Sequence, residues 1–343
     1  MSIVDNRHSI IKHRLVACLF VFLCCLLSLS FAARSESTAL RHGPARAPAV
    51  VNGLQASTAS YPNCRYGSIP QMNPITDYDT ASINLGWYLT YPSTSPPRPD
   101  GVLPVFIVFL QGRDCPQPNC SSPDYWDEAM IYPWGEDGEA LGRLVDANPG
   151  NIWLVGNEPD RTYYMDDVLP SQYAQAYHKV YALIKEQDPS AQVGIGGVVV
   201  PSPLRLQYLD MILDEYLDRY GLPMPVDIWN THLHIVREVK DDWGADIPPG
   251  FDEETGTLFS KSDHANVEVL KQLVIDYRTW MEARGQQDKP LIITEFGILW
   301  PQWLDDENGV PFDEPRVISF MQATMSWLDT YADPALGYPA DNY

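Results

Sequence analysis

From residue 63 onward, short apolar runs alternate with amphipathic stretches. "RYGSI" (Arg65 to Ile69), "ASINLGWYLTY" (Ala81 to Tyr91) and "LPVFIVFLQ" (Leu103 to Gln111) open the series. Ile152–Gly156, Gln192–Val200, Val226–His234 and Leu291–Glu295 continue it, giving seven predicted strands. Most are continuous β-branched or aromatic runs, as in strands buried on both faces of a parallel sheet. Helical periodicity fills the later intervals. Ser171 caps a predicted helix with Tyr173, Tyr177, Val180, Tyr181 and Ile184 on its apolar face, stopped by Asp188-Pro189. A second carries Leu206, Leu209, Leu213, Tyr216, Leu217 and Tyr220 and ends at Gly221. A third carries Val267, Leu270, Val274, Tyr277 and Met281 and ends at Gly285; a fourth lies near Val317 to Thr330.

This alternation predicts a parallel α/β fold. An open nucleotide-binding sheet wants a Gly-rich turn after its first strand, and none is present; "GIGGVVV" (Gly194 to Val200) has its glycines inside a strand. Polar and aromatic residues gather instead at predicted strand ends: Trp87, Gln111 with Arg113, Asn157 with Glu158, His232 with His234, and Glu295. A (β/α)8 barrel keeps its active site there, so the predicted fold class is a TIM (β/α)8 barrel over residues 63–343. After the fourth helix only "ADPALGYPADNY" remains, with no β-type run. Either an early strand is miscounted or the eighth strand is missing. The second reading predicts a gap between the strands holding Arg65 and Glu295, with exposed edges.

The first 62 residues read differently. Arg7, Lys12 and Arg14 precede an apolar run from Leu15 to Leu29, and "SFA" offers a small-x-small site ending at Ala32. At 15 residues the run is short of the roughly 20 needed to span a membrane, so residues 1–34 are expected to be a signal peptide, with an uncleaved anchor as the alternative. The expected location is extracellular. Residues 35–62 are polar, Ala/Ser/Pro-rich and unpatterned, as in a flexible linker. The net charge of −22 becomes −25 once residues 1–34 are removed, since Arg7, Lys12, Arg14 and Arg34 outnumber Asp5 there. Such a surface disfavours nucleic acid and anionic lipid as partners, but not a neutral substrate. Of the remaining cysteines, "CPQPNC" (Cys115 to Cys120) could close a local disulfide, leaving Cys64 over.

Two predicted strands end on a carboxylate. "NIWLVGNEPD" (Asn151 to Asp160) delivers Glu158, and "KPLIITEFGIL" (Lys289 to Leu299) delivers Glu295, 137 residues later. On the fourth and seventh strands of an eight-strand barrel they face each other across the mouth, as glycosidic bond cleavage requires. Alone, each Glu could be a structural ion-pair partner.

Asn157-Glu158-Pro159 and Thr294-Glu295-Phe296-Gly297 resemble the strand-four and strand-seven motifs of the retaining glycoside hydrolases of clan A. "LVGNEPD" looks like the β-glucanase-like subgroup whose fourth strand ends in Gly-x-Asn-Glu-Pro-Asp or a close variant. The resemblance implies a retaining glycosidase acting on a β-linked, glucan-like polysaccharide without a cofactor. It makes Glu158 the general acid/base, Glu295 the nucleophile, and Asn157 a partner of the sugar 2-hydroxyl. Glu158 must then rest protonated, raised by an apolar wall or by Glu295. Clan A members commonly carry His-x-Tyr on strand six, with the Tyr on the nucleophile. "THLHIV" has His232 and, in the Tyr position, His234, which leaves the nucleophile's partner open.

His-x-His also suggests a metal, but amidohydrolase barrels place that pair on the first strand, and only His264 follows here, on a loop. No metal is expected. With 10 Trp and 19 Tyr, the chain has aromatics to spare for sugar stacking. Trp87, Trp229, Trp300 and Trp303 are the candidate platforms, with Arg113 a further substrate contact. The competing reading is a truncated, weak or inactive carbohydrate-binding remnant. Linkage specificity and endo or exo action are not legible in the sequence.

Overall fold

The structure is a computed structural model that describes residues 65–70, 73–112 and 125–337. The chain divides into residues 1–58 and 59–343, and every described residue belongs to the second unit. The signal and linker segments, Arg113, and Cys64, Cys115 and Cys120 lie outside the described residues.

Seven parallel strands follow one another in chain order: β1 (Gly67–Ser68), β2 (Trp87–Thr90), β3 (Leu103–Leu110), β5 (Ile152–Val155), β6 (Gln192–Ile195), β7 (Trp229–Leu233) and β8 (Leu291–Phe296). Single parallel bridges, Gly194 to Ile228 and Val198 to Thr231, link β6 to β7. A two-residue strand, β4 (Ile131–Tyr132), runs antiparallel to the end of β3. The helices are α1 (Glu139–Ala147), α2 (Pro170–Gln187), α3 (Pro203–Tyr220), α4 (Val267–Glu282) and α5 (Glu314–Thr330). Among them no helix is long and apolar enough to cross a membrane.

The fold is α/β, and two apolar layers show how the sheet bends. Phe106, Trp153, Val193 and Trp229 face outward onto Leu141, Tyr177, Val180 and Tyr208 of α1–α3. On the other face Trp87, Leu89, Val105, Ile107, Leu154, Ile228 and Ile292 meet in one cluster. Residues of β2 and β8 share that cluster although no ladder joins the two strands, so the sheet curls around it. Among the described residues β1 pairs with β2 alone, and β8 with β7 alone. Between them lies a cavity of about 400 Å³, lined in part by Trp87, His234, Ile293, Glu295 and Met321. The end of α5 spans its rim: Arg65 donates to the Leu328 carbonyl at 3.1 Å, and Tyr66 to the Asp329 carboxylate.

Several predicted boundaries shift for local reasons. Residues 81–84 form a turn, so Trp87 begins its strand instead of ending it, and its indole packs over Gly67 in the interior cluster. The β6 ladder stops at Ile195, five residues before the end of its apolar tail at Val200. Pro170 opens α2 one residue before Ser171, with Gln172 accepting the Leu169 N–H at 3.1 Å. Leu209 and Tyr216 of the predicted apolar face are buried, but Leu217 is 46 % exposed, and α3 also buries Arg205, Tyr208 and Ile212.

Candidate active site

All four residues of β5 are buried, and the chain breaks out of the strand over Gly156-Asn157-Glu158. Glu158 takes a left-handed backbone conformation (φ 46°), which costs a non-glycine residue about 1–3 kcal/mol and persists only where neighbours enforce it. Its N–H donates to the Gly197 carbonyl at 3.0 Å, and the Asn157 N–H to Asp166 at 2.6 Å. Pro159 has no N–H to satisfy; its carbonyl takes Val168 N–H (2.9 Å) and the Tyr208 hydroxyl (3.2 Å). The turn thereby points Glu158 inward, 2 % exposed.

Space for its partner comes from Gly197. A Cβ there would stand 2.3 Å from the His232 ring, so only glycine lets the imidazole approach. Along β7, Asn230, His232 and His234 share the inward face, while Trp229 and Leu233 pack outward against α4 and its neighbours. On β8, Ile292 points inward, and strict alternation would turn Glu295 outward. A bulge prevents this. Thr231 pairs with Ile293 but His232 with Glu295, so β8 carries one extra residue, Thr294, whose hydroxyl donates to Asn230 at 2.9 Å. The bulge re-aims Glu295 into the site.

The result is a tetrad. His232 Nδ1 lies 3.2 Å from Glu158 Oε1, His234 Nε2 lies 3.2 Å from Glu295 Oε2, and His232 Nε2 faces Glu295 Oε1 at 3.9 Å. One donor atom from each of Glu158, His232, His234 and Glu295 falls within 4.8 Å of the other three, close enough for the four to hold a cation together. Arg161, three residues past Glu158, donates to its Oε2 at 3.0 Å. Burial works to raise the Glu158 pKa, but the His232 hydrogen bond and the Arg161 charge outweigh it and hold the carboxyl well below the usual range. Glu158 therefore rests ionised, contrary to the sequence expectation, because Arg161 and His232 supply positive partners. Burial likewise opposes charge on His232, yet its bond to Glu158 and the fields of Glu295 and Glu158 raise its pKa. Glu295 is lowered: burial is outweighed by the His232 charge and the His234 hydrogen bond.

Of the candidate residues, Glu158, His232, His234 and Glu295 come together, and Asn157 precedes Glu158 in the same turn, buried. Trp87 and Trp229 are interior, the latter edge-on to Trp280 with centroids 5.0 Å apart. Trp300 packs on Trp243, His264 and Phe312, and Trp303 is 79 % exposed. His264 stays outside the tetrad, bound to the backbone of Ile235 and Leu299. Sequence reasoning missed Arg161, whose position one turn past Glu158 was the available signal. It also missed a fully buried network behind the motif, in which Arg205 joins Asp160 and Glu238 and donates to the carbonyls of Ala245 and Asp246, each at 2.9 Å. Glu238 also accepts from Ser202 at 2.6 Å and Thr257 N–H at 2.7 Å, which pins the long 236–265 excursion against the end of β5.

No protein-family model matches the chain, and no curated protein sequence does. Among solved structures, a GH128 subgroup III curdlan-specific exo-β-1,3-glucanase from Blastomyces gilchristii is similar at 18 % identity, over 73 % of this chain and 78 % of that one, with a TM-score of 0.44. A GH128 subgroup I endo-β-1,3-glucanase from Amycolatopsis mediterranei is similar at 13 % identity over 78 % and 83 %, TM-score 0.45. A glucosidase from Croceicoccus marinus is similar at 12 % identity over 72 % of this chain and 51 % of that one, TM-score 0.44.

Proposed function

We propose that this chain is an exported retaining glycosidase that cleaves β-linked glucan, with Glu295 as nucleophile and Glu158 as general acid/base. The observation that carries the reading is the approach of the two carboxylates, whose nearest oxygens fall within 4.8 Å. Retaining enzymes hold the pair roughly 5–5.5 Å apart and inverting ones roughly 6.5–9.5 Å, leaving room for a water between. In the same reading the curled sheet is a (β/α)8 barrel of the clan A type, and the cavity between β1 and β8 is the place of an eighth strand.

The resting charges suit this chemistry if the proton is stored on His232. Glu295 attacks the anomeric carbon as the glycosidic C–O bond breaks, and its negative charge disappears into the new C–O bond. One of the charges that hold the proton on His232 is then gone. The proton passes along the 3.2 Å contact to Glu158 and on to the departing oxygen. In the second half, Glu158 takes a proton from the attacking water, the bond to Glu295 breaks, and the proton returns to His232. The β configuration is retained. The Arg161–Glu158 ion pair favours a second reading, a carbohydrate-binding chain that does not turn over.

Incubation of the purified chain with β-1,3-, β-1,4- and mixed-linkage glucans, followed by proton NMR, tests both. The β-anomer is expected first. First appearance of the α-anomer would refute retention, and binding without any released sugar would establish the second reading.

A further inference from the structure

His264 is buried and takes no part in the tetrad, yet its ring ties together the backbone following β7 and the backbone following β8. Its Nδ1 lies 2.8 Å from the Ile235 carbonyl, one residue past His234. Its Nε2 accepts the Leu299 N–H at 2.7 Å, four residues past Glu295. A carbonyl can only accept and an N–H can only donate, so both bonds form only with the neutral ring protonated on Nδ1. Burial, against the Ile235 hydrogen bond, holds the pKa down to about 4 and keeps the ring in that form. Trp300 and Phe312, with centroids 5.6 and 6.3 Å away, fix the plane of the imidazole.

What this tie holds is the spacing of the two segments that meet at the His234–Glu295 contact. Between Glu295 and Leu299 stands Gly297 (φ 136°), a conformation glycine adopts freely, so the segment has no rigidity of its own there. The open cavity adjoins the same stretch, and no ladder supports β8 on that side among the described residues. We propose that His264 is a positioning residue that sets the His234–Glu295 hydrogen bond, and through it the aim and charge of the nucleophile, by holding the Leu299 N–H at its Nε2. The inference rests on the glycosidase reading for its kinetic consequence but not for its geometric one.

The two bonds can be separated by substitution. In His264→Gln the amide oxygen reaches the Nε2 position and still accepts Leu299 N–H, whereas in His264→Asn the amide N–H reaches only the Nδ1 position and keeps Ile235. The Glu295 carboxyl is followed by carbon-13 NMR titration in the full chain, alongside kcat, KM and melting. His264→Asn is expected to move the Glu295 titration up toward an ordinary carboxylate and to lower kcat about 10–100-fold with little change in KM, and His264→Gln to restore both. His264→Asn and His264→Gln melting alike but titrating as the unmodified chain would overturn the inference. An inactive unmodified chain whose Glu295 titration still separates Asn from Gln would remove the glycosidase reading and leave the clamp standing.

Discussion

Glu158 and Glu295 are the same residue at the same kind of strand end, but their surroundings differ. Glu158 is walled in: 2 % exposed, ion-paired to Arg161, and backed by the buried Asp160–Arg205–Glu238 network. Glu295 has a side chain 27 % exposed and borders an open cavity, held by two histidines and, through His264, by a clamp on the backbone behind it. One side of the site is rigid because polar groups are sequestered in matched sets. The other depends on a few directed contacts at an edge. On the proposed reading, the walled side supplies most of the stability and the open side the nucleophile.

The largest test of that division is Glu295→Gln, expected to reduce hydrolysis by about 10⁴–10⁶-fold while leaving the melting temperature unchanged or higher. Substantial residual turnover of a glucan would break the assignment. On the walled side, Arg205→Met strands Asp160 and Glu238 without a countercharge and is expected to cost about 3–5 kcal/mol in urea unfolding. A loss below about 1 kcal/mol would show that the network is not what stiffens that half.

Next in size is the effect of acid on His264. Its folded pKa of about 4 lies below the ordinary histidine value, so the unfolded chain binds the extra proton first. Stability from this group is complete above about pH 6.5 and is lost as pH falls to about 4, a span worth about 3 kcal/mol. His232 has the opposite sign: its raised pKa gives stability that is full below its ordinary value and lost as pH rises through the folded one. His264→Gln should flatten the acid limb of a pH series of melting curves; an unchanged limb would assign it to carboxylates instead. The smallest effect is expected in the open wall, where Met325→Ala, at a half-exposed position lining the cavity, should change stability by no more than about 0.5 kcal/mol. A loss comparable to that of Arg205→Met would mean the two sides do not differ.

The continuous runs of β3, β5, β7 and β8 and the two terminal glutamates were legible in the sequence because burial on both faces and a sudden carboxylate leave marks on neighbouring residues. Arg205 was not. A periodicity reading scores it as a surface residue and passes to Leu206 and Leu217, since nothing local announces that Asp160 and Glu238 will neutralise it. Trp87 was misplaced because the apolar letters before it belong to a turn, which hydropathy does not distinguish from strand. Arg161 became a partner of Glu158 only through the left-handed turn that folds the motif back on itself.

The bulge at Thr294 makes the aim of Glu295 a matter of parity. Residues before it keep one in–out phase, residues after it the other, and Glu295 is the first on the far side. Deleting Thr294 would restore a regular strand with Glu295 still opposite His232, whereas straightening the bulge with every residue kept would send the carboxylate into the helical layer. For the same reason, a gapless superposition of this strand on a regular one places Glu295 on the wrong face. Matching its carboxylate to one on a regular strand needs a one-residue insertion at Thr294.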